Sequence, residues 1–367
     1  MATHHGALSK LRGFGREGVQ QHKLIIALPV AVSLLVATSL PASASAHPLL
    51  TPSQVAGVVS TFSVTNNRAN ATLSYADQAK DEEGTALALD DESFVLDRRA
   101  GYKTLDGAKF IPFVNVPFST ALEKGADYPA TFATLVTGTS RGETPAMKAK
   151  DAKAPSLFVF SRSNASSAWR LSFEPTVSAS IGKFAIGKKG YAMSPRTSGL
   201  AFAPAQIPDR VVAAIDDRAV LGTLVKGLTA SDFTTTDHAW SIWNVYQVTK
   251  DEIKYGDSWS WVVKPDSTSD LHTFAMKTGD VLVTFSLMIT VKYSAPNGEH
   301  FVNKNVSGQP DTWYIVGNGN YVSVTRPVVC ELVALDTPAH GKSVGNDSIP
   351  ALVGADCGYI AGTKVIR

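Results

Sequence analysis

The chain has 367 residues, 44% of them hydrophobic, and 34 Lys+Arg stand against 32 Asp+Glu for a formal net charge of +2. Four of the basic residues and one acidic residue fall in residues 1–46, so the other 321 residues carry 30 Lys+Arg against 31 Asp+Glu and sit near −1. A near-neutral chain with no Lys/Arg cluster after residue 47 lacks the basic face that displaces counterions from phosphate, which excludes nucleic acid as the expected partner.

The N-terminus has three parts. A basic head carries Lys10, Arg12, Arg16 and Lys23, a 17-residue apolar run extends from Leu24 to Leu40 and includes Pro29, and small residues fill Pro41 to Ala46. That order is the layout of a secretory leader, and Ala44-Ser45-Ala46 supplies an A-x-A cleavage site. Residues 1–46 are therefore expected to be a signal peptide cut between Ala46 and His47. The alternative is an uncleaved anchor, since 17 apolar residues lie at the lower edge of what spans a bilayer; the membrane is then met only through the leader. No cysteine stands near the site, which excludes a lipid anchor on a leader cysteine.

A length of 321 residues exceeds what one core usually serves and suggests two domains, at 47–193 and 209–367, joined by a linker at 194–208 that contains three prolines. In TPSQVAGVVSTF, Thr51 can cap a helix, Pro52 suits its first turn, and Gln54 completes a capping box. Val55, Val58, Val59 and Phe62 then recur at i, i+3, i+4 and i+7 as one apolar face. The acidic runs Asp81-Glu82-Glu83 and Asp90-Asp91-Glu92 lack the calcium-loop pattern with its central glycine, and read as solvated loops. PSLFVFSRSNASSAWRLSFEP, from Pro155, reads as a hairpin whose second arm alternates Trp169, Leu171 and Phe173 with Arg170, Ser172 and Glu174.

After the linker Pro208 starts another helix, and Leu221, Leu224, Val225 and Leu228 repeat the helical spacing. Five of the six tryptophans, Trp240, Trp243, Trp259, Trp261 and Trp313, then fall within 74 residues. Indole rings offer flat apolar faces with one N–H donor, a surface suited to ring-shaped or amphipathic ligands; burial in a core is the competing reading. Trp259 and Trp261 share a face if SWSWVV is a strand. Asp232 and Asp237 lie in the same aromatic segment, Asp237 as a polar partner for a ligand and both as carboxylates that burial could turn into a general base. DVLVTFSLMITVKYS predicts a long strand from Val281 to Tyr293, with Val281, Val283, Phe285, Leu287, Ile289 and Val291 on one face.

GNGNYV, from Gly317, begins as a dinucleotide fingerprint but has Val322 where the third glycine belongs, so it reads as a turn. HGKSVG, from His340, satisfies G-x-S-x-G at Ser343, yet no histidine follows it and Pro350 stands where a helix should run. As a phosphate-binding loop the same segment needs a glycine where Asp336 stands. The histidines after residue 46, His47, His238, His272, His300 and His340, are scattered without an i, i+4 pair, and no H-E-x-x-H occurs, so neither a metal site nor a cofactor is expected. Cys330 and Cys357, with 26 residues between them, are expected to form a disulfide in an oxidising compartment, contributing about 3 kcal/mol by loop closure. Two buried free thiols are the alternative.

NNRAN (Asn66 to Asn70), YPATF (Tyr128 to Phe132), FVFSR with AWR (Phe158 to Arg170) and LAFAP (Leu200 to Pro204) occur in an order that resembles a family of exported actinobacterial proteins carrying a large C-terminal domain of unknown function. The resemblance covers about residues 50 to 300 and implies an extracytoplasmic address. It brings no assigned activity and no catalytic residues. The fold it implies is similar to a tandem of nuclear-transport-factor-like or cystatin-like units.

Helices followed by antiparallel strands in each half predict an α+β protein whose two domains each pack a helix or helices on a curved antiparallel sheet. The expected function is binding of a small molecule or envelope component, without catalysis, through an aromatic-lined concavity in the second domain. The rival is an isomerase-like or hydrolytic enzyme with a buried carboxylate base. A third reading is a structural protein of the envelope, marked by an exposed apolar patch.

Overall fold

The computed structural model describes residues 50–99, 111–116, 128–139, 155–177, 181–188, 192–196, 198–216, 258–267, 271–295, 299–303, 319–338 and 351–366. Helices and antiparallel sheets build these residues into an α+β fold, as the sequence predicts. Helix α1 (Pro52–Thr72) opens with the expected reciprocal cap, in which the Thr51 side chain accepts from the Gln54 N–H and the Gln54 side chain accepts from the Thr51 N–H. It ends where Leu73 turns into the left-handed region at φ 52°, and Ser74 then caps the single turn α2 (Tyr75–Gln78). Gly84, at φ 61°, opens α3 (Gly84–Arg99), a conformation that glycine adopts without a Cβ penalty.

A four-stranded antiparallel sheet runs β1 (Ile111–Val116), β2 (Ala130–Thr139), β3 (Ser156–Arg162) and β4 (Arg170–Phe173), each strand paired with the next in sequence. The predicted hairpin is β3–β4, with Leu171 and Phe173 buried and Arg170 exposed. Val55, Val59 and Phe62 of α1 pack on this sheet against Phe132, Phe158, Phe160 and Leu171. Phe62 meets Phe158 edge to face at 5.6 Å and Phe132 stacks on Phe160 at 5.0 Å, geometries that suit the ring quadrupoles.

The second sheet has two 14-residue strands at its centre, β7 (Val281–Ser294) and β10 (Ser323–Asp336). On one side of this pair β11 (Ala351–Tyr359) lines β10, and on the other β5 (Ser258–Pro265) and β6 (His272–Ala275) follow one another along β7. The sheet's remaining strand, β12 (Lys364–Ile366), pairs with Ser323–Thr325, and β8 (Phe301–Asn303) and β9 (Gly319–Tyr321) form a separate ribbon. Gly319–Tyr321 is thus strand, where the sequence suggested a turn. The predicted odd-numbered face of β7 packs with Val328, Leu332 and Ala334 of β10 and with Phe202, Ile207 and Val211, the last two from α4 (Ile207–Asp216). Pro208 is the second residue of that helix; Leu221, Leu224, Val225 and Leu228 lie outside the described residues.

The opposite face of this sheet is also buried, because the first half covers it. Leu282 of β7 and Val333 of β10 join one core cluster with Leu157, Val159, Phe173, Val177 and Phe184. Backbone contacts stitch the same seam: Val177 bridges to Gly354, Phe184 to Met276 and Leu200 to Pro338. The proline-rich segment is anchored too, since Phe202 is buried and its N–H reaches the Asp336 carboxylate at 3.3 Å. Among the described residues no helix is long and apolar enough to cross a membrane.

Two glycines of β11 let the halves approach. A Cβ on Gly354 would stand 2.5 Å from Val177 Cγ1 and 2.8 Å from the Thr176 carbonyl oxygen, and one on Gly358 would stand 2.6 Å from Leu89 Cδ2. Backbone cannot yield as a leucine tip can, so Gly354→Ala is expected to cost about 1–3 kcal/mol as an overpacking defect. Gly358→Ala should be close to neutral. Thermal or urea unfolding of the two variants checks the order, and equal costs would contradict it.

Candidate functional site

Polar and charged side chains converge where α2, α3, β4 and β10 meet. The turn after α2 is set by backbone: the Glu82 N–H donates to the Gln78 carbonyl, while the Leu171 N–H donates to Asp81 and the Glu83 N–H to Leu171. This lays residues 81–83 alongside β4 and turns Glu82 inward. Asp90, on the α3 face that also carries Ala86 and Phe94, comes to the same place; both carboxylates are fully buried. Glu174, just past β4, is half-buried, and one carboxylate oxygen from each of Glu82, Asp90 and Glu174 lies within 4.8 Å of the others. The Gln78 amide nitrogen donates to Glu82 and, at 3.0 Å, to Asp90.

Glu331 stands beside this group on β10, with 0% of its surface exposed. The Thr85 hydroxyl contacts one of its oxygens at 2.6 Å and the Glu174 N–H donates to the other at 2.9 Å. Thr85 lies 3.2 Å from the Ser172 carbonyl and 3.5 Å from the Ser286 hydroxyl. Burial pushes the Glu331 carboxyl from the ordinary 4.5 up to about 8, opposed by the bonds from Thr85 and Glu174 and reinforced by the charges of Asp356 and Asp90. The neutral acid fits the site well. Its O–H can donate to Thr85, freeing the Thr85 hydroxyl for Ser172, while the other oxygen keeps the Glu174 N–H.

The two acidic runs are therefore not the solvated loops their composition suggests. Asp90, Asp91 and Glu92 belong to α3, and Glu82, Asp90 and Glu92 are buried. Asp90 sits four residues from both Ala86 and Phe94, so the helical spacing that marks an apolar stripe also marks Asp90 as part of it. Glu331 carried no comparable signal, because its burial comes from α3 and β4, more than 150 residues away in the chain.

Of the aromatic candidates, Trp259 and Trp261 lie on β5, their backbones paired with Tyr293 and Val291 of β7. Trp240, Trp243 and Trp313 lie outside the described residues, as do Asp232 and Asp237, the Ser343 segment, and Ala44 and Ala46 at the leader junction. Cys330 and Cys357 are directly opposed on β10 and β11 and form the expected disulfide, buried among the apolar residues of the second sheet. A disulfide is compatible with an extracytoplasmic location.

Because the folded state raises the Glu331 pKa, it holds a proton that the unfolded chain has released. Stability should therefore fall as pH rises from about 4.5 to about 8, with a slope of at most about 1.4 kcal/mol per pH unit, and level off above. Glu331→Gln reproduces the neutral acid's hydrogen bonds and should flatten that slope, making the variant relatively more stable at pH 9 than at pH 5. Urea unfolding across this range is the check; a slope unchanged in the variant would assign the dependence to other groups.

A family model described as a domain of unknown function, DUF8094, matches residues 46–364. No curated protein and no solved structure shows significant similarity to the chain. Because the match spans residues 46–364 of the 367, the chain belongs to the DUF8094 family.

Proposed function

We propose that the protein is an exported component of the cell envelope that binds a small molecule or envelope partner and performs no chemistry of its own. The observation that carries this reading is the sealing of Glu331. The strongly shifted acid is the group an enzyme of this shape would use as a base, yet both of its oxygens are engaged by Thr85 and Glu174 and none of its surface meets solvent. It ties α3 and β4 to β10, a task of cohesion.

Three features support the address: the leader pattern of residues 1–46, the buried disulfide, and a family match that covers the chain from residue 46 onward. The same reading keeps the kinship with exported actinobacterial proteins. It takes the first half, whose described residues form three helices followed by four antiparallel strands, as a nuclear-transport-factor-like unit by analogy of element order. Binding is assigned to the aromatic segment of the second half, with Trp259 and Trp261 on β5 among its anchors.

Expression of the full chain with its leader should yield an exported form whose mass begins at His47. Titration of that form with cell-wall saccharides and amphipathic headgroups should give a saturable change in tryptophan fluorescence that a Trp259→Ala/Trp261→Ala variant loses. A chain retained from Met1, or a hydrolytic or isomerase activity abolished by Glu331→Gln, would overturn the reading.

A further inference from the structure

We propose that Glu82, Asp90 and Glu174, together with Gln78, form a binding site for a hard divalent cation, Ca²⁺ in the first place, at the junction of α2, α3 and β4. The spacing fits a single ion. Oxygens bound to Ca²⁺ at about 2.3–2.6 Å can stand at most about 5 Å apart, and the three carboxylate oxygens lie within 4.8 Å of one another. Their chemistry is oxygen alone, with neither imidazole nor thiolate, which selects Ca²⁺ or Mg²⁺ over zinc or copper. A cation placed among carboxylate oxygens at this spacing is attracted to each of them.

Gln78 supplies an observation independent of the acids. It is 1% exposed and its amide is aimed into the cluster, the nitrogen contacting Glu82 and Asp90, while the carbonyl oxygen meets no hydrogen-bond donor among the described residues. A buried carbonyl without a donor forfeits the hydrogen bonds it had in water. The two ends of a glutamine amide are nearly equal in size and differ only in whether they donate or accept. A half-turn of that group brings the carbonyl between the two carboxylates, where a cation is the partner that suits three oxygens at once. Gln78 then becomes a fourth, neutral ligand.

The scaffold holds this geometry. Gln78 and Glu82 are four residues apart on one hydrogen-bonded turn, Asp90 projects from α3, and Glu174 follows β4, to which residues 81–83 are tied by backbone. Glu174 is half-buried, so the ion has a route in and room for water ligands. That mixed and irregular shell suits Ca²⁺ better than Mg²⁺, which requires a near-octahedral set. A bound ion would join the α2–α3 turn to β4 without entering the second sheet.

The test uses the exported chain, stripped with EDTA and dialysed, then titrated separately with Ca²⁺, Mg²⁺ and Zn²⁺ by calorimetry and thermal unfolding. One Ca²⁺ per chain with a saturable rise in Tm is expected, Mg²⁺ binding more weakly. Glu174→Gln, at a half-exposed position that leaves the core intact, should weaken Ca²⁺ at least tenfold. Gln78→Glu gives a signature of opposite sign: a fourth carboxylate destabilises the stripped protein, and Ca²⁺ restores it to at least the parent Tm. The proposal is overturned by no saturable effect of Ca²⁺ or Mg²⁺, by a response to Zn²⁺ alone, by unchanged affinity in Glu174→Gln, or by a Gln78→Glu protein that Ca²⁺ does not rescue.

Discussion

Fourteen opposed residue pairs join β7 to β10, and the alternation of side chains along that ladder gives the second sheet two faces with different work. One face carries a mainly apolar core and packs against α4. The other carries Leu282 and Val333 but also Thr284, Ser286 and Glu331, and it closes over the first half. A slip of one residue in this register would exchange the two sets, placing Glu331 against Ile207 and Val211 and leaving Thr85 with an aliphatic neighbour. The register, the seat of α4 and the docking of α3 are therefore fixed together.

The polar side chains on that face are costly to bury and act mainly by selecting one arrangement. Thr85 meets Glu331 at 2.6 Å only when α3 lies at the correct height on the sheet, whereas aliphatic packing tolerates small shifts. Gly354 and Gly358 set the depth of the approach by letting Val177 and Leu89 touch the β11 backbone. Hydrogen bonds give the seam its position and glycines give it its closeness.

Legibility in the sequence followed the range of the interactions. The start of α1 was readable because Thr51, Pro52 and Gln54 form their cap within four residues, and the β3–β4 hairpin because Leu171 and Phe173 alternate with wetter neighbours. The length of β7 was readable from its unbroken run of apolar and β-branched residues, and the disulfide from the presence of just two cysteines in the chain. The second buried face of β7 was not, since Thr284 and Ser286 look like solvent positions until α3 and β4 are laid over them. For the same reason the acidic runs read as surface: a carboxylate's burial is decided by partners such as Gln78 and Glu174, which composition does not bring together. Only Asp90, within the stripe of Ala86 and Phe94, left a local trace.

The contact between Thr85 and Glu331 spans 246 positions of chain. During synthesis at about 5–20 residues per second, Thr85 precedes its partner by on the order of ten seconds or more. Leu157, Val159 and Phe173 likewise emerge more than 100 residues ahead of Leu282 and more than 150 ahead of Val333, the residues that cover them. The nascent first half therefore presents an apolar, unlatched surface until the final strands emerge. That long delay keeps the chain open to a holding factor, and it makes the order in which the strands appear part of how this fold is reached.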